Sequence, residues 1–257
     1  MDKKYLFFDI DGTLTDLKTK KVVPSALQAL KELQENGHFV AICTGRTHYK
    51  ARSFIDEIGV NNMVCCGGGG LVIDGKLVKN TPLDTEKCKV ILNDAKRLGI
   101  GYLLMLDDSI DCYSDSDLFR QQVGERKEPT NYIIDPSFDF NKVDVIYKMW
   151  FSISKEDEHI IPSLNLLDNY RFEPEYLMYQ YDAKKQGIIE MMDALGADIK
   201  DVVVFGDDVN DIVMCDPRWF SIAVGNAKPE LKAVVDYVTD DNVDDGIYKA
   251  CKKFGWI

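Results

Sequence analysis

The strongest constraint on the fold of this chain is a regular alternation of short apolar runs with helical segments. The runs Tyr5–Phe8 and Phe39–Cys43 predict buried strands, and a segment with leucine or isoleucine at helical spacing follows each of them. A third strand is predicted at Met63–Cys66, and the pair Asp74-Gly75 between two short apolar stretches predicts a hairpin. The pattern resumes much later with a strand at Val202–Phe205, a helix at Asp211–Cys215, a strand at Ser221–Val224 and a helix at Pro229–Val235. Strands and helices that alternate in this way form a parallel sheet with helices on its faces, joined by right-handed crossovers. The sequence therefore predicts an α/β fold.

The middle of the chain breaks this alternation between about Leu83 and Lys184. Strands predicted there are neighbours in pairs and are separated by helices, a pattern typical of an α+β unit. We therefore predict a core domain from residues 1–82 and 183–257, with an inserted domain at residues 83–182. The elements predicted in the insertion are a helix to Leu98, strands at 102–106 and 110–113, a helix from Asp115, a strand at 146–153, a helix at 156–167, and short strands near Arg171 and Leu177.

Composition and charge exclude several classes of protein. The 257 residues are 46% hydrophobic and 29% charged, which excludes a disordered or fibrous chain. A formal net charge of −12 repels nucleic acid and anionic membranes, and no apolar run approaches the ~20 residues of a membrane helix. The seven cysteines lack the spacing of a zinc site, and the N-terminus lacks the apolar stretch of a signal peptide. We expect a cytoplasmic protein with reduced thiols.

Polar clusters follow three of the predicted strands of the core. They are DIDGTLT at residues 9–15, TGR at residues 44–46 and GDDVND at residues 206–211. Because ligands bind at the carboxyl ends of the strands in open α/β sheets, clusters from distant parts of the chain are expected to meet at one edge. Several carboxylates at one place repel each other unless a cation lies between them, and oxygen ligands favour Mg²⁺. The sequence therefore predicts a magnesium site.

These motifs resemble those of the haloacid dehalogenase (HAD) superfamily of phosphatases. DIDGTLT, TGR, Lys184 followed by Gly187, and GDDVND stand in the order and spacing of that superfamily. The tail that begins VGNAKPEL and the position of the insertion are similar to the Cof-type subfamily with a C2B cap. The resemblance implies a Rossmann-like parallel-sheet core with an inserted α+β cap domain, and a Mg²⁺-dependent mechanism through an aspartyl-phosphate.

The resemblance also implies the roles of the two aspartates in the first motif. Asp9 matches the nucleophile that attacks phosphorus, and Asp11 matches the general acid and base. Mg²⁺ would be held by Asp9, the main-chain carbonyl of Asp11 and the side chain of Asp207. Asp208 and Asp211 would be outer ligands of the same ion.

Groups that bind the phosphoryl oxygens are implied in the other motifs. Thr44 and the N–H of Gly45 match the phosphate-binding positions, and Asn210 would donate a further hydrogen bond. Lys184 would supply the positive charge that the acidic chain otherwise lacks.

Each of these residues also has a purely structural interpretation. Asp-Gly pairs are common turn formers, so Asp11 taken alone is as compatible with a turn as with catalysis. Lys184 would be a surface lysine at a helix start, and Arg46 would cap or pair near the sheet edge. The run Gly67–Gly70 matches neither nucleotide-binding glycine motif and favours a backbone turn.

We expect a phosphatase for small phosphorylated metabolites, with sugar phosphates as the class that the resemblance suggests. A phosphomutase of the phosphomannomutase type is the alternative, and a metabolite-binding regulator without activity is a third, although both Asp9 and Asp11 are present. The residues that select the substrate are expected in the insertion, with these first candidates: Asp107, Tyr113, Tyr179 and Tyr181.

Overall fold

A computed structural model describes residues 2–257, and in it the chain divides into two compact units. The first unit contains the chain up to Asn80 and again from Ala183 onwards, and the second contains Thr81–Asp182. The sequence placed the first boundary after residue 82, two residues beyond the end of the first unit at Asn80. The strands in chain order are β1 (Tyr5–Phe8), β2 (Phe39–Cys43), β3 (Met63–Cys65), β4 (Gly70–Ile73), β5 (Lys76–Asn80), β6 (Tyr102–Met105), β7 (Asp111–Ser114), β8 (Asn131–Ile134), β9 (Lys148–Phe151), β10 (Asn169–Glu173), β11 (Tyr176–Tyr179), β12 (Val202–Gly206), β13 (Phe220–Ala223) and β14 (Tyr237–Val238).

Helices connect most of these strands. The α-helices are α1 (Pro24–Glu35), α2 (His48–Ile58), α3 (Thr85–Arg97), α4 (Leu118–Val123), α5 (Lys184–Leu195), α6 (Pro229–Lys232) and α7 (Gly246–Lys253). Short 3₁₀ helices lie between them at Cys66–Gly68, Phe140–Lys142, Glu158–Ile160, Leu164–Leu166, Ile199–Asp201, Val209–Met214 and Asn242–Asp244. No helix within residues 2–257 has both the length and the apolar composition of a membrane span.

The first unit is built on a sheet of eight strands in the order β14-β13-β12-β1-β2-β3-β4-β5. The pairs from β14 to β3 are parallel, and β4 and β5 are added antiparallel. Side chains alternate across β1, so that Leu6 and Phe8 pack on the face that α1 and α7 cover, whereas Phe7 packs with α5 on the other face. The α/β class predicted from the alternation is confirmed.

The turn between β4 and β5 has the backbone that its sequence predicts. Asp74 and Gly75 both have positive φ, 49° and 73°, as a two-residue hairpin turn of type I′ requires. The predicted hairpin is thereby confirmed.

The second unit is an α+β arrangement around a sheet of six strands in the order β10-β11-β9-β6-β7-β8. Its pairs are antiparallel except for β7 with β8. One face of the sheet, with Leu104, Phe151 and Tyr179, forms an apolar core with α3. Tyr179 is completely buried in this core and donates its hydroxyl to the carbonyl of Leu164. This position corrects the expectation that Tyr179 would contact a substrate.

Some helices predicted in the sequence are wrong or too long. Instead of a helix at 156–167, the chain forms two 3₁₀ turns, because Pro162 lacks an N–H and favours extended backbone at the preceding Ile161, whose ψ is 109°. The helix predicted at Pro229–Val235 ends at Lys232. The segment predicted as a helix at Asp211–Cys215 is the 3₁₀ helix Val209–Met214.

Candidate active site

Three adjacent parallel strands of the first unit end at one edge of the sheet, and each is followed by a predicted site residue. Asp9 follows β1, Thr44 follows β2 and Asp207 follows β12. The backbone stays paired beyond the strands, since the N–H of Asp9 donates to Phe205 at 3.0 Å and that of Thr44 to Val64 at 2.9 Å. The side chains therefore start from a rigid edge, as catalysis requires.

A buried lysine joins two aspartates at this edge. The Nζ of Lys184, on the first residue of α5, donates to Oδ1 of Asp9 at 2.9 Å and to Oδ1 of Asp211 at 2.7 Å. The side chain of Lys184 is only 2% exposed. This position excludes the interpretation of Lys184 as a surface lysine.

Asp207 is held next to the loop that follows Asp9. Its Oδ1 accepts a hydrogen bond from the hydroxyl of Thr13 at 2.9 Å. Gly12 has φ +93°, and a Cβ added there would lie 2.1 Å from Oδ2 of Asp207. Only glycine permits both the backbone conformation and this close approach.

Asp211 braces the third motif. Its Oδ2 accepts from the backbone N–H groups of Asp207 at 3.0 Å and Asp208 at 3.2 Å, so both of its oxygens have donors within the protein. Asp208 is exposed and caps the 3₁₀ helix through the N–H of Val209. Asn210 is also exposed in this turn. Of the two aspartates predicted as outer ligands, the structure brings Asp211 into the acidic cluster and leaves Asp208 outside it.

The buried carboxylates are electrostatically crowded. Burial, together with the charge of Asp211, raises the pKa of Asp9 to about 7, and the same two causes raise the pKa of Asp207 to about 7. Burial alone would lower the pKa of Lys184, but the carboxylates of Asp9 and Asp211 outweigh this effect and raise the pKa well above its ordinary value. The site therefore favours additional positive charge.

The cluster fits a divalent metal ion. Carboxylate oxygens of Asp9, Asp207 and Asp211 lie within 4.8 Å of one another, and all three residues are buried. Three ionised carboxylates against one ammonium leave a charge of −2, which one divalent cation balances. An all-oxygen donor set suits a hard cation such as Mg²⁺.

Asp11 points its carboxylate to the neighbouring loop. Arg46 donates from Nε to Oδ2 of Asp11 at 3.1 Å and from Nη2 to Oδ1 at 2.6 Å. The two residues that precede Arg46 in the same motif are less accessible: Thr44 is buried and Gly45 is half-buried. The structure thus brings the side chain of Asp11 to the loop that carries Thr44 and Gly45, two of the predicted phosphate-binding residues. Arg46 is the pair partner that the sequence suggested only in general terms.

Two asparagines in the C-terminal segment were missed as site residues. Asn226 donates to the carbonyl of Gly12 at 2.8 Å, and Asn242 donates to the carbonyls of Thr13 at 3.2 Å and Thr15 at 2.9 Å. Asn226 also accepts from the N–H of Asn242 at 2.9 Å. Both asparagines brace the loop that carries Asp11. The sequence offered one signal, the position of Asn226 two residues after the strand predicted at Ser221–Val224.

Known proteins resemble the whole chain. A family model described as haloacid dehalogenase-like hydrolase matches residues 6–251. YkrA of Bacillus subtilis is 28% identical over 99% of each chain, and the pyridoxal phosphate phosphatase YbhA of Escherichia coli is 24% identical over 96% of this chain and 97% of its own. The solved structure of BT4131, described as a HAD subclass IIB sugar phosphatase, has a TM-score of 0.76 and 25% identity, with 99% of this chain and 100% of that chain covered. The chain therefore belongs to the haloacid dehalogenase-like hydrolase family.

Proposed function

We propose that this phosphoric monoester hydrolase is a Mg²⁺-dependent phosphatase of small phosphorylated metabolites, which acts through an aspartyl-phosphate on Asp9. The observation that carries the proposal is the buried ion-pair chain from Asp9 through Lys184 to Asp211, beside Asp207. A buried carboxylate fixed by an ammonium at a sheet edge is a positioned nucleophile. The lysine also provides a positive charge for the oxygens of a bound phosphate.

The reaction has two steps on the residues of the core. In the first, a carboxylate oxygen of Asp9 forms a bond to phosphorus as the bond to the alcohol oxygen breaks, and Asp11 gives that oxygen a proton. In the second, Asp11 takes a proton from water as the water oxygen bonds to phosphorus. The bond between Asp9 and phosphorus then breaks, and phosphate leaves.

The metal residues of the proposal are Asp9, the main-chain carbonyl of Asp11 and Asp207. Asp211 orients the site instead of binding the ion directly, because Lys184 and two backbone N–H groups already donate to its oxygens. When bound, Mg²⁺ supplies positive charge that offsets the negative charge of the carboxylates and the phosphate. Thr44, the N–H of Gly45 and Asn210 are the proposed donors to the phosphoryl oxygens.

The substrate class and the role of the second unit are the finer part of the proposal. Relatives that cover nearly the whole chain are described as a sugar phosphatase and as a pyridoxal phosphate phosphatase, so the panel of substrates begins with these two classes. Sugar phosphates are our first choice because BT4131 resembles this chain in both sequence and fold. The inserted unit is proposed to select the alcohol, since all four motifs lie in the other unit.

The test is hydrolysis of phosphorylated sugars, nucleotides and cofactors with Mg²⁺ and with excess chelator. We expect activity only with Mg²⁺, and loss of activity in Asp9→Asn with retention of the fold, while the exposed Asp56→Asn serves as the control. Acid quench of a reaction with labelled substrate should trap phosphate on the wild-type protein and not on Asp9→Asn. Phosphate returned to a sugar instead of released would favour the phosphomutase alternative. Undiminished turnover by purified Asp9→Asn would overturn the mechanism.

A further inference from the structure

The ion pair of Asp11 and Arg46 is a polar contact at this edge to which the proposed mechanism assigns no role. Nε and Nη2 of the guanidinium each donate to a different oxygen of the same carboxylate, at 3.1 and 2.6 Å. A fork of this kind fixes the direction of a carboxylate as well as its distance. The side chain of Arg46 is 33% exposed and that of Asp11 is 50% exposed, so the pair contributes little to the stability of the fold. Its geometry is therefore the feature that needs an explanation.

Arg46 is itself fixed from several sides. Its N–H donates to the hydroxyl oxygen of Thr44 at 3.2 Å, and its carbonyl accepts from the N–H of Cys66 at 2.8 Å. Its guanidinium carbon lies 5.7 Å from the ring centre of Phe54 on α2, within the range of a cation–π contact. The fork that meets Asp11 therefore projects from a rigid loop.

We infer that Arg46 is a positioning residue, which holds the carboxylate of Asp11 in the direction needed for proton transfer. The inference rests on the proposed function, because it assigns Asp11 the acid and base role. A displacement of about 1 Å of a catalytic group can lower a rate by about 100-fold. Loss of the two hydrogen bonds from Arg46 should therefore slow the chemical steps that use Asp11. Lysine, a single point of charge, would restore the attraction but not the direction.

The test separates steps that need Asp11 from those that do not. A hexose phosphate has a poor leaving group that needs a proton, whereas 2,4-dinitrophenyl phosphate has a leaving group that departs without one. We expect Arg46→Ala to lower kcat/KM for the hexose phosphate by about 10-fold to 100-fold and to leave kcat/KM for the aryl phosphate within about threefold. Arg46→Lys should lie between wild type and Arg46→Ala. Arg52→Ala, at an exposed arginine of α2, is the matched control and should change neither value.

A double-mutant cycle supplies the second readout. If Arg46 acts through Asp11, Arg46→Ala should change kcat/KM for the hexose phosphate less than about twofold when Asp11→Asn is already present. Equal losses for both phosphates, a full loss in the Asp11→Asn background, or no loss for the hexose phosphate would each overturn the inference. The first two results would mean that Arg46 contacts the phosphate or supports the loop. If the wild-type protein hydrolyses neither phosphate, the proposed function falls as well, whereas an active wild type with the wrong pattern rejects only the role of Arg46.

Discussion

At the scale of single residues, the site balances buried carboxylates against a single ammonium. Asp9 and Asp211 share Lys184, whereas the side-chain donor to Asp207 within residues 2–257 is the neutral hydroxyl of Thr13. Burial raises the pKa of Asp207 most, and the negative charge of Asp211 raises it further. Asp207 therefore depends more than Asp9 on a cation from outside the chain.

This dependence predicts the effect of Thr13→Val. Valine keeps the shape of threonine but removes the hydrogen bond to Oδ1 of Asp207. Loss of a group that orients a metal ligand typically weakens metal affinity by about 10-fold to 100-fold. We expect the Mg²⁺ concentration for half-maximal activity to rise by about that factor, while kcat at saturating Mg²⁺ changes much less. Thr19→Val, at an exposed threonine, is the control. An unchanged Mg²⁺ requirement would show that Thr13 does not orient Asp207.

At the scale of elements, the start of α5 depends on a close backbone contact with the glycine run after β3. The carbonyl of Gly67 accepts from the N–H of Ala183 at 2.6 Å. A Cβ on Gly68, which has φ +105°, would lie 2.2 Å from the carbonyl oxygen of Ala183. The next residue is Lys184, so this contact sets the position of the buried ammonium.

Gly68→Ala should therefore impair both stability and activity. The new methyl group meets backbone atoms that cannot rotate away, and the left-handed backbone adds about 1–2 kcal/mol of strain. Gly59→Ala is the matched control, since Gly59 also has positive φ, +68°, but a Cβ there meets nothing within 4 Å. We expect Gly59→Ala to lose stability only, and Gly68→Ala to lose turnover as well, measured by urea unfolding and phosphatase assay. Equal turnover in the two variants would contradict the argument.

The elements also show what the sequence could and could not predict. The strand ends with Asp9, Thr44 and Asp207 were predictable, because apolar runs that stop at polar clusters mark the sheet edge. The pairing of Asp11 with Arg46 was not, because the pair joins two loops whose side-chain directions depend on tertiary packing. β8 and the 3₁₀ turns near Pro162 escaped prediction because short elements have weak periodicity. Asn242 is linked to the first loop by hydrogen bonds across more than 200 residues, which no local pattern reveals.

At the scale of the whole molecule, one histidine ties both termini to the core. His38, just before β2, accepts at Nδ1 from the N–H of Lys4 at 3.0 Å, and its Nε2 lies 3.2 Å from the carbonyl of Trp256. Only the neutral ring with its proton on Nε2 satisfies both contacts. Burial is the main cause that lowers the pKa of His38 below 6.5.

The lowered pKa predicts how stability depends on pH. The unfolded chain binds the proton more readily than the folded one, so the contribution of His38 is complete above pH 6.5 and is lost as the pH falls towards the folded-state pKa. The loss is at most about 1.4 kcal/mol per pH unit for one proton. We expect urea unfolding between pH 7.5 and 5.5 to show a smaller decrease for His38→Gln than for wild type, whereas the exposed His159→Gln behaves as wild type. Parallel curves for all three proteins would reject the role of His38.

The two-unit organisation leads to a prediction about substrate choice. In the sheet of the second unit, Met149 and Tyr179 point into the apolar core with α3, so Lys148 and the residue after Tyr179, Gln180, belong to the opposite face. Lys148 donates to the side-chain oxygen of Gln180 at 2.7 Å, and both are buried. A buried ammonium and amide on a sheet face are suited to recognise hydroxyl or carboxylate groups of a metabolite.

We therefore expect Gln180→Leu and Lys148→Met to change the ratios of kcat/KM between phosphorylated substrates by about 10-fold or more, and with them the order of the substrates. The reason is that a site built to bond a polar group discriminates strongly when that bond is lost. Turnover of 4-nitrophenyl phosphate and the Mg²⁺ requirement should change little, since the motifs for both lie in the other unit. Tyr179→Phe removes a hydroxyl from the apolar core and is the control, which should lower stability without altering the order. If the order of the substrates by kcat/KM is unchanged in Gln180→Leu and Lys148→Met, or changes as much in Tyr179→Phe, the second unit does not select substrates through this face.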